Sequence, residues 1–159
     1  MALVGRTMAP VIPYARKVGA MVEGKAEGSS QTFPTGTLLV LASGYITQAS
    51  AACHTSIYGV AVSEGQNLAA DGDALAEVYR LVRGEAFVAT LNGTWAASYR
   101  GATCAISQDS NGSVVLCVGT DVSGSSAAHM QDAVAPFTIG DSYPLVTFVP
   151  FDATIQGAA

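Results

Sequence analysis

The chain has 159 residues, half of them hydrophobic and only 12% charged, with a net charge of −5 at pH 7. That length suits one domain, or one domain with an appendage, and the apolar content is too high for a disordered polyampholyte. The acidic balance, with a pI near 4.7, argues against a nucleic-acid partner. The longest apolar runs, 38–42 and 114–118, fall short of the roughly 20 residues of a spanning helix and the about 7–15 of a secretory core, so no membrane partner is expected.

Residues 1–30 read as an extended arm and linker, ahead of a β-rich body at 31–159. No sustained period runs through the arm. Pro10 and Pro13 impose extended backbone around Val11 and Ile12, and a short helix over 14–22 would gather Tyr14, Val18, Met21 and Val22 on one face. The stretch from Glu23 to Ser30, with Gly24 and Gly28, reads as a mobile linker. Four of the seven cations, Arg6, Arg16, Lys17 and Lys25, lie in this part, whereas no Lys or Arg follows Arg100. The chain is therefore a mildly basic arm on an acidic body.

From Phe33 the pattern is short strands and glycine turns. Residues 37–42 suit a buried strand, Ser43-Gly44 a turn, and 45–48 a second strand. Another strand spans 56–63, with Gly59 marking a bulge or a close backbone approach. Asp71-Gly72-Asp73 is a turn signal. Strands over 76–82 and 85–91 follow, separated by Gly84. Asn92-Gly93 predicts a hairpin into 94–99. A second hairpin is expected between 102–106 and 113–118, around Asp109 to Gly112. Alanines at 125–135, bounded by Gly124 and Pro136, predict one or two helical turns. The last strand, 143–151, is bracketed by Pro144 and Pro150 and is expected at an edge. Strands at about 8–12-residue spacing with Gly/Asn/Asp turns predict a mainly β, antiparallel barrel or sandwich, with at most one or two short helices.

Site chemistry is sparse. Cys53, Cys104 and Cys117 form no C-x-x-C pair and read as small buried hydrophobes. His54 and His129 lie far apart in sequence, so neither a metal nor a cofactor is expected. Cys53 and His54 are neighbours, and in a strand they would point to opposite faces. His54 or Cys104 would be the starting point of any enzyme reading, but no nucleophile elbow, phosphate loop or metalloprotease motif accompanies them, and the chain is not expected to be an enzyme. Glu77, Arg80, Arg83 and Glu85 balance one another and read as a solvated strand face or an intersubunit contact. Trp95, Tyr99 and Tyr45 offer an alternative, a carbohydrate- or ligand-binding β module with exposed aromatics; packing in a core or an interface is the other reading of such residues.

Three motifs in residues 36–101 carry a family resemblance. These are Gly36-Thr-Leu-Leu-Val-Leu-Ala-Ser-Gly44, then Ile57-Tyr-Gly-Val-Ala-Val62, then Gly72-Asp-Ala74 leading into Val78-Tyr-Arg-Leu-Val-Arg-Gly-Glu-Ala-Phe87. Together they resemble the small capsid decoration, or cement, proteins of tailed bacteriophages. The Pro10-Val-Ile-Pro13 segment is similar to the arms with which such proteins lace neighbouring subunits. The resemblance implies a β-tulip fold and self-association, often as trimers. It also implies a location on the outer capsid surface of a virion, with the major capsid protein as partner. Shell stabilisation is the implied function, and Arg6, Pro10, Val11, Ile12, Pro13, Arg16 and Lys17 are the arm residues expected to bind the capsid or a neighbour.

Overall fold

The computed structural model describes residues 12–13, 22–49, 56–108, 114–118 and 126–156. Its strands run in chain order as β1 (Ile12–Pro13), β2 (Val22–Ala26), β3 (Leu38–Ala42), β4 (Tyr45–Gln48), β5 (Gly59–Ala61), β6 (Leu75–Arg80), β7 (Phe87–Leu91), β8 (Thr103–Gln108), β9 (Val114–Cys117), β10 (Ala128–Ala133) and β11 (Leu145–Pro150). Helical structure among the described residues is limited to two 3₁₀ turns, Ala97–Tyr99 and Asp152–Thr154. The mainly β fold read from the turn spacing is the one observed.

Two sheets build the molecule. One is ordered β7-β11-β10-β8-β9 and returns to β7, forming a closed five-stranded barrel, with β1 added on β7. All its pairs are antiparallel except the closing seam, where Thr90 and Leu91 of β7 run parallel to Val115 and Leu116 of β9. The other sheet is ordered β2-β6-β5-β3-β4. It curls until Glu27, just past β2, meets Ile46 of β4 in a parallel bridge.

Side-chain alternation explains why the small sheet reads as apolar runs. In β3, Leu39 and Leu41 face the small sheet's own core with Phe33, Ile46, Tyr58 and Val78. Leu38 and Val40 face the other way, into a larger core shared with Phe87, Ile106, Leu116, Met130 and Phe148 of the barrel. Both faces are covered, so the strand loses the apolar–polar alternation of a half-exposed one. Gly59 sits where a Cβ would come within 2.7 Å of the Tyr79 carbonyl oxygen. This is the close approach expected of it.

Several sequence expectations are corrected. The stretch read as a mobile linker holds β2, which pairs with β6 from Val22↔Tyr79 to Ala26↔Leu75, and Glu27 behind it is buried. Val22 therefore opens a strand; the rest of the helix expected over 14–22 lies outside the described residues. Asn92-Gly93 does not turn a hairpin, because Asn92 lacks the positive φ that a type I′ turn demands. Residues 91–95 instead run beside 140–144, with Trp95 N–H donating to Asp141 O and Tyr143 N–H to Gly93 O. The helix expected at 125–135 is strand β10, where Ala128 and Met130 point inward and His129 and Gln131 outward. Alanine's helix preference is a few tenths of a kcal/mol per residue, and burial of these small side chains in the barrel overrides it. Strand β11 is central, between β7 and β10. Pro144 precedes it and Pro150 ends it, so neither removes a donor from its middle. The pairing of β8 with β9 is as expected, from Gln108↔Val114 to Ala105↔Cys117; its turn lies outside the described residues.

Candidate interaction surfaces

The two sheets are joined by polar side chains that imitate strands. Gln108, wholly buried at the end of β8, accepts from Leu38 N–H at 2.7 Å and donates to the carbonyls of Leu38 and Ala49 at 3.2 and 3.1 Å. Gln156 does the same for Leu41, accepting at 2.8 Å and donating at 2.7 Å. Ile57 N–H donates to Thr154 O and Gln156 N–H to Ile57 O. The chain after β11 thus lies along the small sheet as a substitute strand. Nothing in the sequence reading singled out these glutamines. The available signal for Gln108 was its place at the end of strand β8 after Cys104, Ala105 and Ile106, where a buried amide has to find backbone partners.

The acidic and basic residues expected to form one contact are distributed differently. Glu85 is only 4% exposed, and its carboxylate accepts from the Tyr79 hydroxyl, with the second oxygen buried and without a partner. It is internal to the chain. Arg83 pairs with Asp152 at 3.4 Å on the surface. Glu77 is exposed opposite Gly24 of β2. Arg80 lies over the Tyr58 ring, 5.6 Å from its centroid, and Lys25 of β2 reaches the same ring at 5.6 Å. The Tyr58 hydroxyl donates to Glu23. Burial, and then the bond to that carboxylate, push the Tyr58 hydroxyl above its ordinary value. The sequence reading missed Tyr58, although it directly precedes the Gly-Val-Ala strand.

Of the arm residues, Ile12 and Pro13 form β1, paired antiparallel with Val88 and Phe87. Arg6, Pro10, Val11, Arg16 and Lys17 lie outside the described residues.

The aromatic residues do not form an exposed platform. Trp95 is 1% exposed in the barrel core and meets Tyr99 edge to face at 5.9 Å. Tyr45 is half-buried on β4, in the other sheet. Beside Trp95 lies an open groove of about 430 Å³, lined by Arg100, Asp132, Phe137 and Ile139 among others. Arg100 and Asp132 pair at 3.1 Å.

Cys104 and Cys117 are buried on adjacent strands. Burial, with Cys117 close by, pushes the Cys104 thiol up to about 12. Such a thiol stays protonated at neutral pH and makes a poor nucleophile. Cys53 and His54 lie outside the described residues. Among the described residues, no three His, Cys, Asp or Glu side chains gather in a metal-binding group, and no helix is long and apolar enough to cross a membrane. Comparison of the chain with protein-family models, curated proteins and solved structures finds no match.

Proposed function

We propose that this chain is a structural virion protein that binds the outer surface of a tailed-phage capsid and stabilises the shell. Its partners are the major capsid protein and further copies of itself, with a trimer favoured, and its role is mechanical, without catalysis or cofactor. The observation that carries the reading is β1. Two residues of the N-terminal segment add as a strand to β7 at Phe87 and Val88, on a barrel whose five other strands close without them. A ladder this short is held by few hydrogen bonds, each contributing only about 1 kcal/mol net. A segment so held can exchange between its own barrel and a neighbour's at small cost. Strand addition of this kind recognises backbone, so it needs neither a deep pocket nor a catalytic group.

The low charge content supports the same reading, because surface poor in charge gains by being covered. Contacts made only in the assembled state add their free energy to that state alone. Many weak footprints on a repeating lattice act together through avidity.

The test is co-sedimentation of the full chain with expanded shells assembled from the capsid protein of the same genome. Saturable binding, together with a raised temperature of shell rupture, is the expected result. Absence of binding to those shells at micromolar protein overturns the proposal.

A further inference from the structure

Charge is distributed in a polarised way along the small sheet. The described residues include four cations, Lys25, Arg80, Arg83 and Arg100. Arg83 and Arg100 are ion-paired to Asp152 and Asp132. Lys25 and Arg80 are not ion-paired to any described residue; both rest on the Tyr58 ring. One carboxylate, Glu23, shares this place and is bonded to the Tyr58 hydroxyl, so two positive charges meet one negative. Arg80 ends β6 opposite Gly59, at the Val22 end of the small sheet, whereas Lys25 sits opposite Ala76 and reaches the Tyr58 ring by the length of its side chain.

The opposite end is acidic. Strand β2 runs antiparallel to β6, so the Ala26 end of β2 lies beside Leu75. There the chain enters β6 from a loop in which Glu64 and Asp73 are exposed. Gln66 N–H donates to Glu27 Oε1 and Gly72 N–H to Glu27 O, which ties the loop to that end. Neither Glu64 nor Asp73 is ion-paired to a described residue. The six residues of β6 separate Arg80 from the Leu75 end by roughly 17 Å, and no ion pair among the described residues joins Arg80 or Lys25 to Glu64 or Asp73.

We infer that Lys25 and Arg80 on Tyr58 form a carboxylate-receiving contact whose occupant is the Glu64–Asp73 loop of a second copy, joined head to tail. The inference rests on reading the protein as a self-associating shell component. An arginine stacked on a tyrosine is held in place before it binds and loses little freedom on docking, and Arg and Tyr are enriched among residues that dominate interfaces. The contact is heterologous, since the two surfaces differ; repeated, it closes into a ring or continues as a filament. Opposite charges across it orient the copies, and on a chain of net charge −5 they provide local attraction against overall repulsion.

Sedimentation velocity of the full chain at about 50 mM and about 500 mM NaCl tests the contact. The expected result is an oligomer that dissociates at high salt. Arg80→Glu weakens it at least ~10-fold, and the loop variant Glu64→Lys/Asp73→Lys weakens it to a similar extent. The loop variant alters only exposed side chains, so it keeps the test valid if Arg80→Glu unfolds the small sheet. Combining the two restores assembly. A monomer at low salt, an oligomer indifferent to the loop variant, or a combined variant no better than either parent overturns the contact. Shell co-sedimentation of the loop variant, run in parallel, separates the two readings. Full-length chain that binds shells while its self-association ignores the loop charges refutes only the contact. A salt-sensitive oligomer that binds no shell refutes only the capsid reading.

Discussion

Gln108 shows what a single buried side chain does in this protein. Its amide replaces a missing stretch of strand, satisfying Leu38 N–H and the Ala49 carbonyl while linking the barrel to β3. Leu38 O has a second donor in Ala49 N–H, so it is not orphaned when Gln108 is lost. Gln108→Leu keeps the volume and leaves one buried donor and one buried acceptor unpaired. At about 1–3 kcal/mol for each orphaned group, the expected loss of stability is about 2–6 kcal/mol, measured by urea denaturation. Gln156 is half-buried, so water can replace its bonds, and Gln156→Leu is expected to cost less than half as much. Equal losses in the two variants would contradict the strand-substitute role of Gln108. Gln108 at the end of an expected strand region was visible in the sequence. Its partners were not, because Leu38 and Ala49 lie 70 and 59 positions away.

Among the elements, β2 changes where the body begins. Its five residues pair along β6, and the segment behind it places Glu27 inside, accepting from Gln66 N–H at 2.8 Å. Removal of residues 1–20 takes away only the two-residue ladder of β1 among described contacts, and a cooperative unfolding transition is expected to survive. Removal of residues 1–27 strips the edge of the small sheet and exposes Ala76, Val78 and Tyr79, all buried in the intact chain. The expected outcome is loss of a folded small sheet, read as lost amide protection in β5 and β6 by hydrogen exchange. Equal protection in the two truncations would mean that the body begins after β2. A boundary at residue 30 follows from composition, because Gly24, Gly28 and the serines resemble a linker. A Cβ at Gly24 would meet nothing within 4 Å, so glycine is tolerated there in an exposed edge strand, and composition alone does not separate that case from a linker.

On the scale of the whole molecule, the larger core crosses from one sheet to the other. Leu38, Val60 and Tyr79 of the small sheet pack with Phe87, Ile106 and Phe148 of the barrel, and the segment after β11 bonds back to Ile57 and Leu41. Separation of the sheets would expose this shared surface at roughly 25 cal/mol per Å², so neither is expected to unfold ahead of the other. Trp95, the one tryptophan, reports the barrel, and near-ultraviolet signals from Tyr58 and Tyr79 report the small sheet. Their thermal transitions are expected to coincide; two separated midpoints would show independent units. Low charge, acidic balance, the mainly β class and the positions of β3, β4 and the β8–β9 pair were all legible in the sequence. These follow from local chemistry: apolar runs, glycine turns and residue type. Tertiary structure alone decided the parallel β7–β9 seam, the central place of β11, strand in place of helix at β10, and the meeting of Lys25, Tyr58 and Arg80. Each depends on which distant strand covers a face or takes a backbone bond, and local propensities of tenths of a kcal/mol yield to burial worth several.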